Sequence, residues 1–340
     1  MTGTLMAREM AEQPAVLARL VERFDADIAR VRALLPTPLA GIVFLARGSS
    51  DHAAVFGRYL AEPAAGRPAG LAAPSLHTLY HAHIDYTGYL VVALSQSGAT
   101  PEIVTVCERM RAAGARAIAV TNDADSPLAD AADGVLALDA GMERAVPATK
   151  TVTAEFLAVA AVASALGPVP FTRDDLATLP DAVAAVLGDD GPARRLAVQW
   201  ATMDRLFVAT RGLLYGVALE AALKIKETTG VLAEGYSAAD LRHGPVAAVE
   251  ARAPVLILDA GGPASADLTD LGMLARGRGA SVAVCAPRPE ADLPLPGGAS
   301  EAMSAITATV QAQQFALALA RARGVDPDAP KGLSKVTRTQ

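Results

Sequence analysis

The sequence predicts an α/β fold in which one unit, a parallel sheet flanked by helices, occurs twice. Strand-length apolar runs at residues 41–46, 89–94, 116–120 and 134–138 alternate with helix-length segments, the order that produces parallel pairing through right-handed crossovers. The plan then returns. Residues 205–212, Arg-Leu-Phe-Val-Ala-Thr-Arg-Gly, repeat the pattern of residues 42–48, Ile-Val-Phe-Leu-Ala-Arg-Gly, and residues 254–258 with the strand at 281–285 mirror residues 89–120. The 340 residues are 52% hydrophobic, enough for one large or two medium cores.

Composition excludes several classes. A net charge of -6 argues against nucleic acid as partner, because phosphate-backbone binding draws on a basic surface. An acidic chain still binds a phosphate locally through backbone N–H groups. Cys107 and Cys285 lie among apolar neighbours with no CxxC pairing, so two buried thiols in a reducing compartment are expected. The N-terminus carries charges where a signal peptide needs an apolar core, and the longest apolar run, residues 156–166, is too short for a bilayer. A soluble cytoplasmic protein without a membrane partner is the expectation.

Residues 6–35 read as one or two amphipathic helices ending before Pro36 and Pro38. The strand at 41–46 enters the turn Arg47-Gly48-Ser49-Ser50, and a helix follows over 51–62. His77, His81 and His83 come close together, but spacings of four and two fix no tetrahedral site and no cysteine completes a set. They are expected near the surface, without metal. The strand at 89–94 runs into Ser95-Gln96-Ser97-Gly98-Ala99-Thr100-Pro101-Glu102. With Thr100 as N-cap and Pro101 in the first turn, this hydroxyl-rich loop sits at a helix N-terminus, where N–H groups and the helix dipole favour an anion. It is neither GxxxxGK[ST] nor GxGxxG, which points to a phosphomonoester and away from nucleotides. An ordinary capped turn would need one such hydroxyl.

Lys150 opens an apolar helix over 151–166, where the dipole disfavours a cation; a ligand or partner carboxylate would explain it, and so would simple exposure. Residues 167–195, a helical segment punctuated by Pro and Asp, look like a linker. In the second copy the loop after 254–258 begins with Asp259, which repels an anion, so the phosphate belongs to copy one.

Residues 219–245 carry the acid and base groups. Glu220, Lys224 and Glu227 fall at i, i+4 and i+7 of a helix that Gly230 closes; Ser237 and Asp240 look like a capping pair opening a second helix that stops at His243-Gly244-Pro245. With Glu234 this gives carboxylates, lysines and an imidazole in one segment. Enolisation of a sugar needs a base near the α-carbon and an acid at the carbonyl oxygen. The same helix reads equally as a surface element with an ordinary ion pair. Lys331 and Lys335 lie in a terminal tail.

The motifs ARGSSDHA, SQSGAT, LEAALKIKE, AEGYSAADLRHGP and the terminal LSKVT, in this order, resemble the double sugar isomerase (SIS) domain family, in particular the isomerase half of glucosamine-6-phosphate synthases and the stand-alone glucosamine-6-phosphate deaminases. The resemblance implies two flavodoxin-like three-layer α/β/α units related by duplication and a homodimer with its sites at the subunit interface. It divides the chain into an arm (1–35), a phosphate-binding unit with linker (36–190), an acid/base unit (191–325) and a tail that closes the site (326–340). It implies that Ser50, Ser95, Gln96, Ser97 and Thr100 hold the phosphate. Glu227 would move a proton between C1 and C2, Lys224 would assist at the carbonyl oxygen, His243 would open the ring in the neighbouring subunit's site, and Lys335 would contact the open-chain carbonyl. Further substrate contacts are expected at Arg47, Gly48, Ser49, Val146 and Glu234. No metal and no cofactor is called for.

Glutamine-driven synthesis is not expected, since Met1-Thr2 lacks the cysteine nucleophile of a glutaminase domain. Arg47, Ala99 and Ala148 depart from the family pattern and bear on sugar specificity. The expected activity is deamination with isomerisation, glucosamine 6-phosphate giving fructose 6-phosphate and ammonia. The competing readings are a plain phosphosugar isomerase or fructosamine-phosphate deglycase, and a non-catalytic sugar-phosphate sensor. A sensor would have no need of Glu227 or His243, and no basic helix-turn-helix stretch is visible.

Overall fold

Pro14 cannot continue a helix from the turn before it, and the amino-terminal arm accordingly forms three helices where one or two were expected: α1 (Thr4–Ala11), α2 (Gln13–Glu22) and α3 (Phe24–Leu34). The structure, a computed structural model, describes residues 2–330, 332, 333 and 335. The chain divides into two compact units. One comprises Val16–Glu143 with Lys150–Val169; the other comprises the residues up to Ala15, Arg144–Thr149 and Pro170–Lys335.

In the first unit the chain runs β1 (Gly41–Leu45), α4 (Ser49–Ala65), β2 (Ala69–Leu71), α5 (Pro74–Thr78), β3 (Tyr89–Leu94), α6 (Pro101–Ala112), β4 (Arg116–Thr121), α7 (Pro127–Ala131), β5 (Gly134–Ala137) and α8 (Lys150–Leu166). The strands form one sheet of order β2-β1-β3-β4-β5, every pair parallel, with Val43 opposite Val91 and Val92 opposite Ile118. Strands buried on both faces have no polar side to alternate with, which is why 89–94 reads as a continuous apolar run. Helix α8 is mostly apolar and accordingly buried against α4, where Phe56 and Phe156 stack at 4.9 Å. Gly57 permits that approach: a Cβ there would lie 2.8 Å from Phe44 and 3.0 Å from Val159.

The second unit continues with α9 (Arg173–Gly188), α10 (Gly191–Gln199), β6 (Arg205–Thr210), α11 (Tyr215–Thr229), β7 (Leu232–Ser237), α12 (Ala238–Arg242), β8 (Pro254–Leu258), α13 (Ser265–Gly277), β9 (Ser281–Ala286), β10 (Leu293–Pro294) and α14 (Glu301–Ala322). Its parallel sheet has the order β10-β9-β8-β6-β7. Matching β7 to β2 and β6 to β1 makes the two orders identical, so the duplication read from the sequence holds strand by strand. Both sheets reverse direction between their first and third strands, and the crevice at the carboxyl ends of those strands is where such folds bind ligands.

Residues 167–195 are not a linker. Thr172 and Asp175 form a reciprocal capping box at the start of α9, Leu176, Leu179 and Val183 are buried, and α9 and α10 pack on α14. Trp200 meets Phe315 of α14 edge-on at 5.8 Å. Both cysteines are buried, and burial pushes the Cys107 thiol up to about 12 and that of Cys285 higher still. No helix among the described residues is long and apolar enough to cross a membrane.

Candidate active site

In the first unit the chain leaves β3 at the switch point and makes the loop Ser95–Thr100 before α6. Ser95 is buried, while Gln96, Ser97 and Thr100 are partly open. Thr100 occupies the N-cap position as expected, but its side chain caps nothing; Ser95 Oγ and Thr100 Oγ1 instead lie 3.4 Å apart. A capping hydroxyl would have satisfied a first-turn N–H, so among the described residues no side chain of this loop covers the start of α6. Ser97 Oγ accepts from the Ala99 N–H at 3.2 Å and keeps its own proton to give.

Gly98 fixes the loop's shape. Its φ is +59°, and a Cβ would fall 2.0 Å from Ser126 Oγ, the hydroxyl that caps α7. Gly98→Ala is expected to cost about 2 kcal/mol or more and to weaken binding of inorganic phosphate at the loop. Urea denaturation and a phosphate titration measure the two effects.

On the other lip of this crevice, Gly48 adopts φ +61° and starts α4. Ser49 is partly open, and Ser50, in the first turn, donates to Glu155 Oε1 at 2.7 Å. Arg47 reaches across to Glu102 in the first turn of α6 with two hydrogen bonds of 3.0 and 3.2 Å. The fork matches a carboxylate edge, so Arg47 ties the two lips together.

Lys150 is 1% exposed, which removes the reading of simple exposure. Its Nζ donates to the Met142 carbonyl at 2.8 Å, and the Glu143 carboxylate accepts from the Thr151 N–H and hydroxyl at 3.2 and 2.7 Å. A carboxylate of this chain, not one from a ligand or a partner, thus meets the start of this helix. His81 and His83 are exposed in the loop after α5, as expected, but His77 is not. His77 is buried on α5, 3.0 Å from the Tyr86 hydroxyl, and burial followed by the nearby Arg109 charge lowers its pKa. Among the described residues no cluster of metal-ligating side chains occurs.

In the second unit, α11 carries the charged set. Gly230 closes it in the left-handed conformation, φ +72°, as predicted. Glu220 and Lys224 are each 1% exposed, so the helix is not a surface element with an ordinary ion pair. Lys224 Nζ lies 3.4 Å from Glu220 and 2.5 Å from Glu227, and Glu227, 19% exposed, is the member of the trio that reaches solvent. The buried lysine thus holds one carboxylate at the surface in a fixed orientation.

Glu234 sits exposed on β7 and accepts a hydrogen bond from Tyr236, whose phenol is pushed up to about 12 mainly by that bond. Ser237 is the N-cap of α12, yet neither it nor Asp240 makes the capping bonds expected of the pair, among the described residues. His243 ends α12 and is exposed, its ring without a hydrogen bond among the described residues. Val146 is partly buried in the Arg144–Thr149 segment, which Glu9 of α1 pins by accepting from Arg144 N at 2.6 Å and Ala145 N at 3.1 Å. Sequence reasoning missed Glu9, Glu143 and Glu155. The tail residue Lys335 is partly buried, and Lys331 and residues 336–340 lie outside the described residues.

At the corresponding crevice of the second sheet stand two carboxyl groups, Asp259 and Glu301. Asp259 accepts from Gly261 N at 2.9 Å and Ser265 Oγ at 2.6 Å, closing its own loop, and the Glu301 carboxylate fills the space over Gly262. Burial and the Asp259 charge raise the Glu301 pKa. Asp259 in turn faces the Arg288 guanidinium at 3.7 Å, so both signs of charge meet there.

Comparison with known proteins decides the family. The model of the SIS domain matches residues 40–165 and 201–320, one match over each sheet. The chain belongs to the SIS domain family. The isomerizing glutamine–fructose-6-phosphate aminotransferase of Aeropyrum pernix is 34% identical over 98% of this chain and 57% of its own length, so this SIS chain spans little more than half of that relative. The solved structure of a candidate phosphosugar isomerase from Silicibacter pomeroyi DSS-3 is 35% identical, with a TM-score of 0.85 over 96% of this chain and 100% of that one. Glucosamine-6-phosphate deaminase from Thermotoga maritima shares the SIS fold at 22% identity, with a TM-score of 0.76 over 98% of this chain and 99% of that one.

Proposed function

We propose that this SIS protein is an aldose/ketose isomerase of amino-sugar phosphates that releases ammonia, converting glucosamine 6-phosphate and water into fructose 6-phosphate and ammonia. The observation that carries the reading is the buried Lys224, bracketed by Glu220 and Glu227 with only Glu227 reaching solvent. A phosphate sensor has no use for a carboxylate held this way, because burying the lysine is costly and serves binding of an anion poorly.

In this reading Ser95, Gln96, Ser97, Thr100 and the first-turn N–H groups of α6 hold the phosphate. His243 assists ring opening to the aldehyde. Glu227 removes the C2 proton, giving an enolamine, and returns a proton to C1, which leaves an imine at C2. Water adds to the imine carbon, and ammonia departs. Lys224 orients Glu227 and places positive charge where the oxygen at C1 becomes negative. The reading includes a homodimer in which His243 serves the neighbouring subunit's site and Lys335 closes over the sugar. The names of the aminotransferase and deaminase relatives support amino sugars over neutral ones.

The test is ammonia release from glucosamine 6-phosphate, run beside a hexose-phosphate interconversion assay. Ammonia with fructose 6-phosphate supports the deaminase; interconversion without ammonia reduces the reading to a plain isomerase.

A further inference from the structure

Gly3, the N-cap of α1, has no side chain with which to satisfy the N–H groups of the first turn. Acceptors come from the other end of the chain. Asp326 Oδ1 accepts from Gly3 N at 3.0 Å, and the Asp328 carboxylate accepts from Leu5 N at 2.8 Å and Met6 N at 2.9 Å. Carboxylates suit that position because they meet the positive end of the helix dipole. Arg321 completes the exchange by donating to the carbonyls of Thr2 at 3.1 Å and Gly3 at 3.4 Å. Pro327, buried between the two aspartates, packs on Gly3, where a Cβ would lie 2.8 Å from the proline Cγ.

Helix α1 is itself held in place. Its Glu9 accepts from Arg144 N and Ala145 N. Just past its end, Gln13 Nε2 donates to Gln313 Oε1 at 3.0 Å, and Gln313 Nε2 donates to the Thr149 carbonyl at 3.2 Å. Both glutamines are fully buried. The carboxy-terminal tail therefore meets the start of a helix whose length and end are fastened to the Arg144–Thr149 segment, the one that carries Val146.

We infer that Asp326 and Asp328 are positioning residues that moor the tail on α1 and so set where Lys335 can reach. This rests on the reading of Lys335 as the residue that closes over the sugar. Seven residues lead from Asp328 to Lys335, against thirteen from the end of α14 at Ala322. At full extension the two tethers reach about 25 Å and about 45 Å. The local concentration of a tethered group falls roughly as the −3/2 power of tether length, so mooring raises that of Lys335 about 2.5-fold before any gain in orientation.

The pair Asp326→Ala/Asp328→Ala, Lys335→Ala and the triple variant form a cycle, read as kcat/KM for ammonia release from glucosamine 6-phosphate. The aspartate pair is expected to lower it by about three- to tenfold. In the Lys335→Ala background the same pair is expected to change it by less than about twofold, since no lysine is left to place. Asp328→Asn keeps an oxygen for the helix N–H groups and is expected to stay within about twofold of wild type. A purely structural effect lowers activity by the same factor in both backgrounds, and that result overturns the inference. Trypsin cleavage after Lys331, measured without ligand, reads the mooring with no need of turnover; it is expected to be about fivefold faster in the aspartate pair. Equal cleavage rates also overturn the inference. Failure of the underlying reading looks different: Lys335→Ala with full activity, while the aspartate pair still speeds cleavage, leaves the mooring standing and removes Lys335 from the site.

Discussion

Glu227→Gln is expected to lower kcat by about three orders of magnitude while sugar-phosphate affinity stays within a few-fold, since loss of a general base costs 10²–10⁴-fold. The amide has the volume of the carboxylate and still accepts from Lys224 Nζ, now 2.5 Å from Glu227, but it takes no proton from carbon. Glu220 remains beside the lysine at 3.4 Å, so the cation keeps a partner and the fold is expected to hold. Steady-state rates, with a calorimetric titration of glucitol 6-phosphate as the binding readout, distinguish lost chemistry from lost binding. Unchanged kcat would remove Glu227 from the reaction.

Lys224→Met is expected to destabilise the protein by about 3–5 kcal/mol, the cost of leaving a buried charge without its counter-ion. Here the carboxylate that loses this ion pair is Glu220, which like Lys224 is 1% exposed, with Glu227 close by on the same helix. Adding Glu220→Gln to Lys224→Met should recover part of the loss, because the remaining polar group is then neutral. Urea denaturation of the two variants measures both. A Lys224→Met loss below about 1 kcal/mol would mean that the trio is solvated in a way its burial contradicts.

The sheets were legible because parallel strands buried on both faces leave nearly unbroken apolar runs, as in Tyr89–Leu94 and Pro254–Leu258. The duplication was legible for the same reason, and the identical strand orders follow from it. The glycine at the end of α11 announced itself, since only the left-handed region closes a helix that way. The hydroxyl loop was found as a composition, but what its hydroxyls bond to was not: Thr100 in the N-cap position pairs with Ser95 rather than with the helix.

Residues 167–195 were misread because Pro180 and a run of aspartates resemble linker chemistry, whereas α9 tolerates the proline and buries Leu176 and Leu179 on α14. The carboxylates that shape the site were invisible for a different reason. Glu9 meets Arg144 and Ala145, and Glu155 meets Ser50, across more than a hundred residues of chain. No periodicity encodes such a pairing; only the fold brings the acceptor to its donor. The buried state of Glu220 and Lys224 was likewise undetermined, because i,i+4 spacing is common to buried and exposed pairs.

Proton transfer at C2 and C1 tests the central claim most directly. Glucosamine 6-phosphate is incubated with the protein in D2O and followed by NMR. Deuterium at C1 of the fructose 6-phosphate formed, with ammonia released in step and neither seen with Glu227→Gln, is the expected result. Phosphate binding at the Ser95–Thr100 loop with no fructose 6-phosphate formed and no deuterium entering any hexose phosphate would contradict an isomerase of any kind.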